Sequence, residues 1–207
     1  RPGFRRKGDA IMKTYIIAIA REYASGGRII GKKLADELGI AFYDKEIISL
    51  AAKESGFSED YLESASESRT PFFLYNVYGY SNIMPLPEQI YFAESNAVRE
   101  LASKGSCVFI GRNATRILSD YENLIKVFVH APLEKRIETA RDVYGDKSDN
   151  MKSFVVRRDK SREEYSRHFS DYRWRDLRNY HLSVDSSIGF DNATAVIKTY
   201  VENFLAE

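Results

Sequence analysis

Short unbroken apolar runs alternate with amphipathic stretches along most of the chain, and that alternation is the first thing the sequence says about its fold. TYIIAIA (14–20) has the pattern of a strand buried on both faces. Past a glycine pair, Ile30, Leu34 and Leu38 recur every four residues, and Gly39 stands where a helix C-terminus accepts a left-handed residue. IAFYD (40–44) predicts a second strand, and KEIISLAAKES (45–55) a helix running up to Gly56. Further on, IYFAESNAVRELASKG (90–105) predicts a helix. SCVFIG (106–111) and NLIKVFVHA (123–131) predict buried strands with a short helix between them. PLEKRIETARDVYG (132–145) carries proline in its first turn, as helices allow. The charged stretch 152–178 reads as helical, HLSVDSS (181–187) as the last strand, and NATAVIKTYVENFLAE as a closing amphipathic helix. Strands that alternate with helices predict an α/β fold: a parallel sheet with helices on both faces.

Two stretches depart from the alternation. SEDYLESASES is a polar helix candidate, and the aromatic-rich segment after it holds three of the five prolines, so 57–88 reads as an insertion that packs on something. Its aromatics fit a binding surface or a local core equally well. Residues 1–12 precede the first periodic segment with basic residues but no apolar core of a leader. They read as a disordered N-terminal extension or cloning remnant, with one domain over 13–207.

Composition narrows the class. At 207 residues, 43% hydrophobic and 29% charged, the chain suits a single globular domain. Its net charge of +1 leaves no overall nucleic-acid footprint, and no apolar run approaches the roughly 20 residues that span a bilayer. Cys107 is the lone cysteine and lies in an apolar run, which predicts a buried strand residue and fits a reducing cytoplasm. His130, His168 and His181 lack metal-ligand spacing and read as structural.

The chemistry gathers at REYASGGRIIGKKLA. A strand, a glycine-bearing turn and a helix N-terminus make an anion site, because free N–H groups and the helix dipole point at the turn. Ser25, Gly26 and Gly27 let that turn curl around a phosphate. The strict G-x-x-x-x-G-K-[ST] pattern is missing. Arg28 follows the glycines and is the candidate for the lysine's charge. Ile29 stands where a magnesium-binding hydroxyl belongs and cannot ligate. A glycine pair at such a turn is structural more often than functional, so it gains weight only from the rest of the chain.

That rest supplies arginines. Arg112 follows a buried strand directly, where open α/β sheets bind ligands. A salt bridge fastening the next helix is the plainer reading of it. Asp44 ends the second strand and is placed to cap the helix from Lys45, to orient magnesium-bound water, or both. Over 152–178 nine basic side chains face five acidic ones, a net +4 against −3 for the remainder, and seven of the nine are arginines. Arg158 and Arg162 are one helical turn apart and can serve one ligand. Tyr165, Phe169, Tyr172, Trp174 and Tyr180 accompany them, either to stack a base or, more commonly, to pin a helix.

Together REYASGGRIIGKKLA, FYDKEI, VFIGRNA, IKVFVHAPLEKRI, RRDKSREEY and WRDLRNYHL, in that order, resemble the cytidylate kinase-like branch of the P-loop nucleoside monophosphate kinases over about residues 14–205. The resemblance implies a three-layer fold with a five-stranded parallel sheet, a lid at 145–178 and a monophosphate-binding insertion at 57–88. It implies ATP as donor with Mg2+ on its phosphates, and CMP or dCMP as the simplest acceptor. Ser25, Gly26, Gly27, Arg28, Ile29, Arg136 and Arg158 would bind ATP. Asp44, Arg112, Asn113, Arg162 and Tyr165 would meet the acceptor, with Arg28, Arg112, Arg158 and Arg162 acting in transfer. Three departures stand out: Asn113 replaces the aspartate usual in cytidylate kinases, Arg162 and Tyr165 hold lid places that usually carry other residues, and no arginine follows FYDKEI.

Phosphoryl transfer needs positioning and charge neutralisation more than a general base. Loss of Arg28 is accordingly expected to lower turnover at least ~10²-fold, about 2.7 kcal/mol. An acceptor alcohol or sugar would instead need a base, for which Asp44 is the candidate. A nucleotide-binding regulator without turnover and an RNA binder using the basic, aromatic lid are the readings outside enzyme chemistry. The expected partners are small nucleotides, without nucleic acid or membrane, and the aromatic insertion offers a surface for homo-oligomerisation.

Overall fold

The computed structural model describes residues 5–7, 10–12, 14–56, 58–60, 86–169 and 173–206. A short antiparallel pair, β1 (Arg5–Lys7) and β2 (Ala10–Met12), precedes the main body. Then follow β3 (Ile16–Arg21), α1 (Gly27–Leu38), β4 (Ala41–Tyr43), α2 (Lys45–Ser55), α3 (Leu86–Ser103), β5 (Cys107–Ile110) and α4 (Ala114–Ile117). The order ends with β6 (Leu124–His130), α5 (Leu133–Glu138), α6 (Met151–His168), β7 (Leu182–Asp185) and α7 (Phe190–Ala206).

Strands β3 to β7 form one sheet in the order β4-β5-β3-β6-β7, every pairing parallel. β3 lies at its centre, and its side chains divide by parity. Ile16 and Ala18 join α2, α3 and α4 on one face, whereas Ile17 and Ile19 join α1 and α7 on the other. That division is why the run is apolar without alternation. The sequence expectation of a three-layer α/β fold with a five-stranded parallel sheet is met.

Most element ends fall where the chain's chemistry puts them. Gly39 and Gly56 close α1 and α2 with φ of 64° and 77°. Three ends differ from the sequence reading. α3 begins at Leu86 rather than 90, absorbing the end of the 57–88 stretch. α5 passes into one π-helical turn, Thr139–Val143, before Tyr144. α6 stops at His168, and Trp174 and Tyr180 then turn into the core against Phe128 and Ala20. Of the expected insertion, residues 57 and 61–85 lie outside the described residues.

Candidate active site

Everything catalytic in the sequence reading lies at or near the C-terminal edge of the sheet, where β3 and β5 end beside the start of α1. β3 delivers Arg21, and the turn 22–26 leads into α1. Gly26 adopts φ 76° and sits so close under the Phe190 ring that a side chain would overlap it. Ser25 is buried, and its hydroxyl donates to the carbonyls of Glu22 (2.9 Å) and Val129 (3.1 Å). Its backbone belongs to the turn, and its hydroxyl is spent on holding the turn to β6. Ile29 is partly buried in the first turn of α1. The Tyr144 hydroxyl lies near Gly26 and among Arg162, Arg21 and Arg28, and burial pushes its pKa up.

The charges around this turn are distributed unevenly. Arg28 is exposed, and its Nε lies 2.7 Å from Asp44 Oδ2. Asp44 does not cap α2 with its side chain, contrary to the plainer expectation; Glu46 instead accepts from the Asp44 N–H at 2.9 Å. The ion pair draws the carboxylate toward Arg28 and away from the first-turn N–H groups of α2 that a cap would serve. Lys32 and Lys33 pair with Asp36 and Asp191 on the exposed side of α1.

A second turn, after β5, faces the first. Gly111, Arg112 and Asn113 all take positive φ, at 69°, 51° and 51°. Two consecutive non-glycine residues there cost of order 1–3 kcal/mol each, a strain that clusters at ligand sites. Arg112 is held by Glu94, which is fully buried on α3, with Nη1 to Oε1 at 2.9 Å. The other oxygen of Glu94 accepts from the Tyr165 hydroxyl of α6. Burial first, and then the Glu94 charge, raise the Tyr165 pKa well above its usual value, so it stays a neutral donor. Asn113 turns a buried amide nitrogen with no protein partner among the described residues, while its carbonyl starts α4.

Where the end of β3 meets the second turn and α6 is a cavity of about 100 Å3 lined by Arg21, Arg112, Asn113, Arg162 and Tyr165 among others. That is room for more than a single water. Four of the five expected acceptor residues meet here, and Asp44 is not among the lining. Arg162 donates to the Arg21 carbonyl at 3.1 Å, and its guanidinium lies 5.2 Å from the Tyr23 ring centre. Arg158 stands 5.6 Å from the same ring. The two arginines do share a face, and they share it with Tyr23.

Arg136 is elsewhere. It is buried, with Nη1 2.5 Å from Asp159 Oδ2 and Nε 3.2 Å from Glu22. Asp159 also accepts from Arg175 (3.0 Å) and from the Tyr23 N–H (2.6 Å). Arg136 thus fastens α6 to the turn rather than reaching into the cavity. Tyr165 and Phe169 form an edge-to-face pair, and Phe169 stacks on Tyr91 at 4.2 Å, while Trp174 and Tyr180 are core. Packing accounts for these aromatics, and Tyr172 lies outside the described residues. Cys107 is buried in β5 with its thiol pushed up to about 12 by desolvation. No group of His, Cys, Asp and Glu among the described residues could hold a metal by itself, and none of the helices searched is long and apolar enough to cross a membrane.

Sequence reasoning missed Arg21, Glu94 and Asp159. Arg21 reads as the last residue of a strand and Glu94 as one acid on an amphipathic helix. Asp159 is the one with a signal: it follows Val155 by a helical turn, and both are buried.

A model of the cytidylate kinase-like family matches residues 16–188. No curated protein matches the chain. Among solved structures, an uncharacterized protein from Eubacterium ventriosum ATCC 27560 is similar at TM-score 0.66 and 25% identity, over 91% of this chain and 98% of that one. A shikimate kinase from Bacteroides thetaiotaomicron aligns at TM-score 0.56 and 11% identity, over 92% and 99%. The shikimate kinase from Acinetobacter baumannii, solved with shikimate, aligns at 0.51 and 15%, over 93% and 96%. At those identities the shikimate kinases are likenesses of fold.

Proposed function

The chain belongs to the cytidylate kinase-like family, and from that premise we propose that it transfers a phosphoryl group from ATP to a nucleoside monophosphate, CMP or dCMP before others. One observation carries the reading. Arg112 and Arg162 line one cavity beside a phosphate-type turn, and a fully buried glutamate holds Arg112 in place. Guanidinium groups gathered at a strand edge suit an anionic acceptor better than a neutral alcohol.

In this reading the amides of Gly26, Gly27 and Arg28 take the donor phosphates. Arg112 holds the acceptor phosphate, and Arg162 and Arg158 bring lid charge to the transferred group. Asn113 offers its unpartnered amide to the acceptor. Tyr165 and Glu94 set the position of Arg112. ATP brings Mg2+ bound to its own phosphates, which suits a site where Asp44 is the carboxylate at the turn and Ile29 cannot ligate. The ion would supply charge neutralisation at the phosphoryl oxygens. No general base is required, because the acceptor is already an ionised oxygen.

MgATP turnover across a panel of nucleoside monophosphates tests this. Preferential turnover of CMP or dCMP is expected. Nucleotide binding with turnover of none of them would sink the reading and favour a different acceptor or a regulatory protein.

A further inference from the structure

We infer that Arg21 meets the transferred phosphoryl group together with Arg158 and Arg162, taking the task that the sequence alone assigns to Arg28; this rests on the phosphotransferase reading above. The side chain runs between the two turns of the site. Its stem packs on the first residue of α1, where a Cβ on Gly27 would come within 2.7 Å of Arg21 Cβ. Its head lies over Gly111, where any Cβ would overlap Nη1. Both glycines are therefore needed for one arginine to cross from the donor side to the acceptor side.

Four neighbouring cations already hold carboxylates. Arg28 pairs with Asp44, Lys32 with Asp36, Lys33 with Asp191, and Arg112 with Glu94. No carboxylate among the described residues pairs with the Arg21 guanidinium, and Asp44 acts on it only at a distance. Burial first, and then Arg162, lower its pKa to about 9, with Arg112 adding to the effect. At neutral pH it remains a cation, held where a cation is costly, and an arriving phosphate relieves that cost. A charge without a counter-ion between two phosphate-type turns is placed for the group that passes between them.

A residue on the terminal phosphate must distinguish ATP from ADP, and that can be read without knowing the acceptor. Wild type, Arg21→Ala and Arg21→Lys are titrated with the Mg2+ complexes of ADP and of the non-hydrolysable β,γ-imido analogue of ATP, alongside thermal melting. Arg21→Ala is expected to weaken the imido analogue ~30-fold and ADP less than ~3-fold, as loss of one charge-assisted contact implies. Arg21→Lys keeps the stem and a charge but loses the fork, so it recovers part of the difference. It is also the variant to read should Arg21→Ala unfold. Equal weakening of both nucleotides, no change in either, or a wild type that does not prefer the imido analogue overturns the inference. CMP turnover by the wild type is scored separately. Its absence alongside intact discrimination would remove the acceptor proposed above and leave the assignment of Arg21 standing.

Discussion

Arg28 Nε lies 2.7 Å from Asp44 Oδ2, and this one pair takes both residues away from the roles their positions suggest. Arg28 is directed from the phosphate turn toward the end of β4, and Asp44 leaves the N-terminus of α2 uncapped by its side chain. With one partner exposed the pair contributes little stability, at most about 1 kcal/mol. The two arginines beside the turn are therefore expected to separate in kinetics. Arg28→Ala should lower kcat by less than ~10-fold, and Arg21→Ala by at least ~10²-fold, about 2.7 kcal/mol of barrier. Equal losses would return Arg28 to the part first read from its sequence position.

Glu94 sustains Arg112 and Tyr165 from inside the protein. Glu94→Gln keeps the shape but removes the charge that balances Arg112. Its predicted effect is a loss of roughly 3 kcal/mol in folding stability, the cost of breaking a buried pair. The KM for the acceptor should rise while the affinity for MgADP changes little. Urea unfolding and a kcat against KM comparison check the two halves. A fall in kcat alone would mean that Glu94 acts on the chemistry rather than on acceptor placement.

Gly111 and Arg21 should behave as one unit. Gly111→Ala introduces a Cβ into the Arg21 head at φ 69°, so it displaces the guanidinium while leaving the arginine in the sequence. A double-mutant cycle with Arg21→Ala is expected to be strongly non-additive, with the second change costing little kcat once the first is made. Additive losses would separate the two residues functionally.

Asp159 joins α6 to the rest. Asp159→Ala takes one of its two carboxylates from the buried Arg136 and leaves Glu22 as the other, and the predicted cost is about 3 kcal/mol in urea unfolding. A cost below about 1 kcal/mol would mean that water or Glu22 compensates.

The sheet was legible because its strands are buried on both faces and its helices on one. Ile16 to Ala20 could hardly be anything but a central strand, and Gly39 and Gly56 mark helix ends for steric reasons that need no tertiary information. The arginine-bearing turn after β5 was legible too, since a charged residue directly after a buried strand has few places to go. What the sequence hid was pairing across distance. Arg21 owes its position to Gly27 and Gly111, one of them ninety residues away. The partnership of Arg136 with Asp159 is invisible to a charge count, which treats Asp159 as one acid diluting a basic run. The stop of α6 at His168 was hidden as well, because the charged pattern reads on to 178 and only the structure shows Trp174 packed in the core.

The three donors on Asp159 come from three separate stretches of chain: Tyr23 in the turn after β3, Arg136 on α5 and Arg175 after α6. They make α6 poor material for modular exchange. A helix grafted alone from a relative would bring its own residue to position 159 against donors it did not come with. A transplant that is to keep the host's stability has to carry the turn, the α5 arginine and α6 together.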